Sequence, residues 1–403
     1  MKKYLWTALW LVLCSTTAMG QKDKPVQADQ ITANSVTRLS LAVVGDIMLS
    51  RTVDKVIQRT TWKTPLAFVP EIVKKADIAF ANLECPASFR GKPYPGKPAD
   101  VTFRANPASL FGLKFAGFDV VSLANNHSTD YGPVALQDTL SSLDQLGIAT
   151  CGAGSSQKEA RRPAILERNG IRLAFLAYAE PIWSVTAAGD GTPPTAGVAI
   201  IREEDIIDDI REAAKKADGV LVSLHWGEEF HRAPRESDRA LAKRLIAAGA
   251  LVILGHHPHV LQGAEWYRQG LILYSMGNFV FDMKDDTTYD SAVAVINIKK
   301  LPAGSIPFRQ DRAHLIIESL AYEPVHLIRG TYGPGRLTDT DKQRIQGLLV
   351  NRLKLLGSDY IVREDGCVEV VRPSSNSFGL KTDTSFWLNS SMPKGLGITP
   401  EKP

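Results

Sequence analysis

The fold is decided by the stretch Leu39-Ser-Leu-Ala-Val-Val-Gly-Asp46, an apolar run that stops at a glycine and an aspartate. A continuous apolar run of this length predicts a strand that is buried on both faces of a sheet. Similar runs recur along the chain, and each also stops at polar residues; they span residues 77–82, 118–124, 219–224, 250–254 and 271–274. Amphipathic, helix-like stretches lie between them at 133–146, 203–217 and 236–248. This alternation predicts an α/β protein with helices on both sides of its sheet.

The composition is that of an ordinary globular protein. Hydrophobic residues make up 44% of the 403 residues, which is enough apolar mass for a sizeable core. There are 47 basic and 43 acidic residues, and the formal net charge is +4. Because the basic residues form no long cluster, we expect no nucleic acid among the partners.

The first residues have the pattern of an export signal. Lys2 and Lys3 precede an apolar run over residues 4–14, and Ala18-Met-Gly20 supplies the small residues that a signal peptidase reads. We therefore expect a signal peptide over 1–20, cleavage before Gln21 and a polar linker over 21–37. The run is short for a membrane span, although an uncleaved leader would anchor the protein. In both cases the bulk of the chain would lie outside the cytoplasm, in the periplasm or secreted.

A potential metal ligand follows each of several predicted strands. Ligands of open α/β sheets bind beyond the carboxyl ends of the strands, where side chains are held in fixed geometry. Oxygen and imidazole donors in this mixture suit Mn, Zn or Fe better than a soft metal. The sequence therefore predicts a site for one or two divalent ions, with the candidate ligands Asp46, Glu84, Asn126, His225, His257 and His259.

Taken singly, most of these residues have an ordinary structural explanation. A Gly-Asp pair after a strand is commonly a turn or a helix cap, and Glu84 could be a surface charge. Asn125 and Asn126 would suit a left-handed turn. His225 could be a core histidine with a backbone partner.

The histidine cluster is harder to explain in this way. His256, His257 and His259 lie within four residues, although the whole chain has only 8 histidines. Two side chains at a spacing of two project to the same side of an extended segment, and His257 and His259 have that spacing. This clustering after a strand favours metal binding over chance.

Six motifs follow one another along the chain: Gly45-Asp-Ile-Met-Leu49, Asn82-Leu-Glu84, Ala124-Asn-Asn-His127 with Asp130-Tyr-Gly132, His225-Trp-Gly227, Gly255-His-His-Pro-His-Val260 and Tyr274-Ser-Met-Gly-Asn-Phe279. In this order they closely resemble the CapA-type family of poly-γ-glutamate capsule biosynthesis, within the calcineurin-like metallophosphoesterases. The resemblance covers roughly residues 40 to 282. It implies a four-layered α/β/β/α sandwich of metallophosphoesterase type over 38–300 and a surface-polymer role outside the cytoplasm.

The resemblance also implies roles for individual residues. Asp46 would bind a first metal and Glu84 would bridge two. Asn126 and His225 would bind the second metal, and His257 and His259 would supply one ligand to each. His127 would be the general acid or substrate-polarising group, and Asp130 would orient it. The expected substrate-binding residues are Arg51, Asn82, His256 and Asn278.

Two positions depart from the phosphoesterase pattern. Such enzymes usually have a histidine two residues after the first aspartate, where this chain has Met48. A thioether is a poor ligand for a hard divalent ion. Glu84 stands where an aspartate is usual. The half of the site built on Asp46 is therefore expected to hold its ion weakly, or not at all.

Two functions remain open from the sequence. A metal-loaded site would activate water and clamp an oxyanion, and His127 would protonate the leaving group. The bond would be a phosphoester or part of an amide-linked acidic polymer. The alternative is a non-catalytic polymer-binding or export and assembly factor, partnered by a membrane export complex. Met48 favours the second function and His127 favours the first. Specificity would lie in loops such as 89–101 and 187–197.

The pattern weakens after residue 300. Residues 313–328 and 360–371 are β-like, and 341–356 are helical. These stretches predict a small C-terminal α+β extension over 301–372. Residues 373–403 are rich in Ser, Gly and Pro and are expected to be a flexible tail.

Overall fold

The structure is a computed structural model, and it describes residues 36–182, 185–193, 195–302 and 314–373. The predicted signal peptide, nearly all of the predicted linker and nearly all of the predicted tail lie outside these residues.

Strands and helices alternate along the described residues, as the apolar runs predict. The strands are β1 (Thr37–Ile47), β2 (Ile78–Leu83), β3 (Val120–Ser122), β4 (Ala149–Cys151), β5 (Ala153–Gly154), β6 (Ala164–Arg168), β7 (Ile171–Ala179), β8 (Gly197–Val198), β9 (Gly219–His225), β10 (Val252–His256), β11 (Ala264–Tyr267), β12 (Gly270–Leu273), β13 (Asn278–Val280), β14 (Asp290–Leu301), β15 (His314–His326), β16 (Tyr360–Val362) and β17 (Val368–Val370). The helices are α1 (Arg51–Arg59), α2 (Val69–Val73), α3 (Phe111–Ala116), α4 (Gly132–Gln145), α5 (Gln157–Ala160), α6 (Glu203–Ala213), α7 (Glu236–Ala248) and α8 (Asp339–Leu356).

The larger sheet, sheet 1, contains nine strands within the described residues. Its order is β16-β17-β15-β14-β1-β2-β3-β4, and β13 pairs with the end of β1. Strands β1 to β4 run parallel, whereas β14 pairs antiparallel with β1. The carboxyl ends of β1, β2 and β3 therefore meet at one edge of the sheet.

The smaller sheet, sheet 2, has the order β11-β12-β10-β9-β7-β6 among the described strands. Strands β7, β9, β10 and β12 run parallel. Side chains alternate between the two faces of a strand, and β7 shows this clearly. Leu173 and Phe175 belong to the core shared with sheet 1, whereas Leu176 and Tyr178 pack in a second core with α6 and α7.

Helices cover the outer side of both sheets. The core of sheet 1 includes side chains from α1, α2, α3 and α4, such as Val53, Val73, Leu113 and Leu136. The second core joins α6 and α7 to sheet 2. The layers are therefore helix, sheet, sheet and helix, which confirms the predicted α/β/β/α sandwich. Among the described helices, none combines the length and the apolar character needed to cross a membrane.

The α+β elements predicted after residue 301 continue sheet 1. Strand β15 pairs with β14, β17 pairs with β15, and β16 forms the edge. Helix α8 packs against β15, β11 and β17 through Ile345, Leu349 and Leu353. It begins at a capping box formed by Thr338 and Asp341, a motif that satisfies the first free N–H groups of a helix.

Candidate metal centre

The ends of both sheets converge on one buried cluster. Asp46 pairs with Asn82 across β1 and β2 and with Asn278 across β1 and β13. In sheet 2, His225 pairs with His256 at the ends of β9 and β10. The six predicted metal ligands meet here, and all of them are buried: Asp46, Glu84, Asn126, His225, His257 and His259.

Glycines before the ligands allow the strands to come this close. A Cβ atom on Gly45 would lie 1.9 Å from the carbonyl oxygen of Gly277, and one on Gly255 would lie 1.9 Å from that of Tyr274. Both distances are far inside van der Waals contact, so a side chain at either position would force neighbouring strands apart. Close packing of the strands at the site therefore requires glycine at positions 45 and 255, directly before Asp46 and His256.

The carboxylate of Glu84 lies at the centre of the cluster. Its Oε1 atom is 3.8 Å from Nε2 of His225, 3.8 Å from Nε2 of His259 and 3.9 Å from Nε2 of His127. These distances are too long for hydrogen bonds, and Oε1 has no hydrogen-bond partner in the part of the chain that the structure describes. Two ligands that each lie about 2.1 Å from one ion are up to about 4.2 Å apart. The spacing to His225 and His259 therefore fits an ion held between the carboxylate and these two imidazoles.

Two donor sets share this carboxylate. Donor atoms of Asp46, Glu84 and His225 lie within 4.8 Å of one another, and so do those of Glu84, His257 and His259. Nδ1 of His257 is also buried without a hydrogen-bond partner among the described residues. Buried polar atoms without partners are rare and call for an ion or water. The donor set thus fits one or two divalent ions, with Glu84 common to both groups.

The surroundings shift the pKa values of Asp46 and Glu84 in opposite directions. Burial acts to raise the pKa of Asp46, but the hydrogen bond and positive charge of His256 outweigh it and lower that pKa overall. Burial, followed by the negative charge of Asp46, raises the pKa of Glu84 well above its usual value. A cation beside Glu84 would favour its ionised form, so the protein environment alone disfavours the charge that a metal would need.

Neighbouring side chains contact two of the predicted ligand histidines. Nδ1 of His259 lies 2.9 Å from Oδ1 of Asn278, which leaves Nε2 facing Glu84. Nε2 of His225 lies 2.9 Å from Oδ1 of Asn126. An outer contact through the other ring nitrogen, as Asn278 makes, fixes the ring orientation of a metal-binding histidine. The Asn126 contact differs, because it joins two predicted ligands at the nitrogen that faces Glu84.

The histidine turn differs from the expected extended segment. His257 and His259 have φ angles of 97° and 59°, a left-handed conformation that is uncommon outside glycine. The expectation that alternation along a strand brings their side chains together is therefore wrong. Their imidazoles reach the same carboxylate because the backbone turns sharply at Pro258.

Met48 takes no part in the centre. Its side chain is fully buried, and its sulfur accepts a hydrogen bond from the amide of Ser50 at 3.0 Å. It packs in the core of sheet 1 and offers no hard donor. The weaker half of the site, built on Asp46, stays a prediction.

His127 sits beside the ligands and is held by Asp130. Its Nδ1 lies 2.8 Å from Oδ2 of Asp130, and its ring stacks on Phe103 with a centroid distance of 3.8 Å. The contact with Asp130 is shorter than the 3.2 Å contact of Nδ1 with the Lys97 ammonium, and a carboxylate can only accept; this favours the proton on Nδ1, with Nε2 facing Glu84. Burial lowers the pKa of His127 to about 4, so the imidazole is neutral near pH 7.

The predicted substrate-binding residues divide into two groups. Arg51 lines a cavity of about 220 Å³ beside His127 and His259. Its Nε donates to Asp282 at 3.0 Å, and its guanidinium lies 4.6 Å from the ring centroid of Phe103.

The other three residues lie behind the ligands and are fully buried. Asn82 and His256 contact Asp46 at 2.9 and 3.2 Å, and Asn278 contacts His259. In these positions they hold the ligands in place. Their assignment to substrate stays a prediction.

Sequence reasoning missed several residues around the cavity. Lys97, Phe103, Glu229, Phe281 and Met283 all line it. Lys97 and Phe103 lie in or next to the loop predicted to carry specificity. That loop has no periodicity, so the sequence could not distinguish Lys97 from the exposed Lys92.

Together, the fold and the site define an α/β/β/α protein with a buried carboxylate–histidine centre suited to divalent ions. The family described as "Bacterial capsule synthesis protein PGA_cap" matches residues 40–283. PGA biosynthesis protein CapA of Bacillus subtilis (strain 168) is 36% identical over 267 residues, which are 66% of this chain and 69% of that protein. Capsule biosynthesis protein CapA of Bacillus anthracis is 34% identical over 65% of this chain and 64% of its own length.

The chain therefore belongs to the bacterial capsule synthesis family PGA_cap, which confirms the resemblance drawn from the six motifs. Among solved structures, the calcineurin-like phosphoesterase YfkN from Bacillus subtilis is similar with 14% identity and a TM-score of 0.43, over 80% of this chain and 100% of that chain.

Proposed function

We propose that this protein acts in the biosynthesis of an anionic capsule polymer outside the cytoplasm, as a metal-dependent hydrolase with a phosphoesterase-like site. The observation that carries the proposal concerns Oε1 of Glu84, which has no hydrogen-bond partner among the described residues. The Nε2 atoms of two predicted ligands, His225 and His259, and of the predicted proton carrier His127 converge on it at 3.8–3.9 Å. Family membership supports the capsule role.

The chain's own residues divide the work. Asp46, Glu84, Asn126, His225, His257 and His259 would hold one or two ions of Mn, Zn or Fe. Bound there, such ions supply Lewis acidity and a water activated near neutral pH. Asp130 keeps the proton of His127 on Nδ1, so Nε2 is the atom that takes up or delivers a proton. Since burial lowers the pKa of His127 to about 4, Nε2 acts first as an acceptor and as a general acid only after it is protonated.

The cavity has features that suit an anionic substrate. Arg51 and Lys97 place cationic groups in its wall, each paired with a carboxylate, and Glu229 also lines it. Phe103 and Phe281 contribute apolar surface. The relatives named above are capsule and PGA biosynthesis proteins, so an anionic cell-surface polymer or a phosphoester from its synthesis is the proposed substrate. A membrane export complex is the proposed partner.

A second candidate is a non-catalytic polymer-binding or assembly factor that retains the fold. The observation in its favour is Met48, which puts a buried thioether with its own amide contact where a phosphoesterase usually has a ligand. In this case the site would bind polymer, with or without metal, and would not turn over.

The test combines metal analysis with activity assays on purified protein. Wild type, His127→Ala and His231→Ala are compared for metal content and for hydrolysis of a phosphodiester and of poly-γ-glutamate. His231 is a matched control because its side chain is largely exposed, at 62%. We expect bound Mn or Zn in all three and turnover lost only in His127→Ala. A wild type that neither contains nor takes up metal would refute the hydrolase; metal and polymer binding without turnover would favour the assembly factor.

The extracytoplasmic location is part of the proposal and rests on the leader-like sequence of residues 1–20. Mass spectrometry of the exported protein should find Gln21 at the start. A mature chain that begins at Met1 would point to the anchored form.

A further inference from the structure

A loop over residues 86–105, the Lys97 loop, connects the metal centre to the cavity wall. Its two ends are joined by a bridge between Ala87 and Ala105 and by a hydrogen bond of 3.2 Å from the amide of Ser88 to Ala105. Val101 and Phe103, in the second half of the loop, line the cavity. The position of this loop therefore determines the shape of the space in front of His127.

The ammonium group of Lys97 reaches into the centre from this loop. Its side chain is only 3% exposed. Nζ forms an ion pair with Oδ1 of Asp130, donates to the carbonyl oxygen of Asn126 at 3.1 Å and lies 3.2 Å from Nδ1 of His127. One buried cation thus touches a predicted ligand residue, the predicted proton carrier and the carboxylate that orients it.

The same carboxylate anchors the backbone of the loop. Oδ2 of Asp130 accepts a hydrogen bond from the amide of Phe103 at 2.7 Å. The main-chain carbonyl oxygen of Asp130 accepts a second one from the amide of Tyr94 at 2.8 Å. Asp130 is itself fully buried. Without the Lys97 ammonium, the buried charge of Asp130 would lose an ion-pair partner, which is unfavourable.

We propose that Lys97 is a positioning residue that locks the ligand segment 126–130 and the Lys97 loop to each other through Asp130. This inference rests on the proposed function, because it assigns to that same centre a residue that orders it. Lys97 acts on the metal through the backbone of Asn126 and on proton transfer through the orientation of His127. It also fixes the cavity wall, since Phe103 is held by the same carboxylate.

The test uses the full-length protein and two readouts that need no substrate. Mn²⁺ affinity is measured by calorimetry, and backbone hydrogen exchange is measured over 86–105 and 126–131. Lys97→Met is compared with Lys92→Met, a matched control on the same loop whose side chain is exposed. Loss of an outer contact of a metal ligand typically weakens metal binding by about 10–100-fold, and we expect this loss in Lys97→Met with faster exchange in both segments. Lys92→Met should match wild type in both readouts.

A double variant separates the ion pair from the general packing of the lysine. Lys97→Met with Asp130→Asn removes both charges and leaves an oxygen that can still accept from His127. It should fold even where Lys97→Met does not, and it should bind Mn²⁺ more tightly than Lys97→Met. Wild-type affinity and exchange in Lys97→Met, or a double variant that binds no better than the single one, would overturn the proposal. A wild type that binds no Mn²⁺ would defeat the proposed function instead, and hydrogen exchange alone would then decide the role of Lys97.

Discussion

At the scale of single residues, the centre depends on a carboxylate in an unfavourable place. Glu84 is fully buried beside Asp46, and burial and the neighbouring charge raise its pKa well above the usual value. In the metal-free protein these surroundings therefore disfavour the ionised form of Glu84. Imidazole Nε2 atoms surround the same oxygen at distances too long for hydrogen bonds. A cation bound beside Glu84 would offset the cost of burying its negative charge, which the surrounding protein alone does not offset.

The variant Glu84→Gln separates the role of Glu84 as a metal ligand from the cost of its buried charge. The amide keeps the shape of the protonated acid but cannot supply a negative ligand. We expect Mn²⁺ affinity to fall by more than about 100-fold, since even outer contacts are worth about 10–100-fold. The melting temperature of the metal-free protein should stay the same or rise, because a group with a raised pKa is replaced by a neutral one. Calorimetry measures the Mn²⁺ affinity and thermal melts measure the melting temperature. The control is Glu167→Gln, which changes an exposed side chain. Unchanged Mn²⁺ affinity in Glu84→Gln would exclude Glu84 as a ligand.

At the scale of secondary-structure elements, the C-terminal helix shows how a local sequence signal sets a boundary. Helix α8 begins where the hydroxyl of Thr338 accepts a hydrogen bond from the amide of Asp341 at 3.1 Å. The Asp341 carboxylate in turn contacts the Thr338 hydroxyl at 2.7 Å and forms an ion pair with Arg344. These contacts lower the pKa of Asp341 to about 2, with the Thr338 hydrogen bond as the larger cause.

The sign of this shift predicts an acid-dependent loss of stability. A carboxyl whose pKa is lower in the folded state stabilises the protein fully above its unfolded pKa, near about 4. That contribution is lost as the pH falls towards 2. Asp341→Asn should therefore lower the free energy of unfolding at pH 7 by up to about 1 kcal/mol, and its difference from wild type should shrink between pH 4 and pH 2.

Denaturant unfolding at several pH values measures this difference. Asp339→Asn is the control, because it removes a charge from the same helix start without touching the capping box. A difference that stays constant down to pH 2 would contradict the assignment.

How much the sequence could predict follows from where each residue sits. Helix α7 was predicted at its observed bounds. The six candidate ligands, which the structure brings together, could be picked out because each follows an apolar run or lies in the histidine cluster; their role as ligands stays a prediction. Lys97 could not be found, because its loop has no periodicity and its partner Asp130 is 33 residues away. Asn278 could not be assigned to His259 because a side chain's direction beyond a strand depends on tertiary packing. Local sequence patterns thus identified the residues of the candidate site, whereas the contacts between distant segments inside it could not be predicted from them.

At the scale of the whole molecule, the centre lies where the two sheets meet. Asp46, Glu84 and Asn126 lie at or just beyond the ends of strands of sheet 1, whereas His225, His257 and His259 lie at or just beyond the ends of strands of sheet 2. Contacts already cross between them, such as the 2.9 Å contact of Asn126 with His225. An ion bound to both groups would join the sheets, so its effect should extend to global unfolding.

Metal loading should therefore stabilise the entire fold. A ligand that binds only the folded state at 100 times its dissociation constant adds about 2.7 kcal/mol to the free energy of unfolding. We expect saturating Mn²⁺ to raise the melting temperature, EDTA to reverse the rise, and hydrogen exchange to slow in both β1 and β9. His257→Ala should lose this response, whereas the exposed His231→Ala should keep it. Only an ion held by both ligand groups resists the separation of the two sheets. Equal melting temperatures with Mn²⁺ and with EDTA, or slower exchange in one sheet alone, would therefore mean that the two ligand groups do not share an ion.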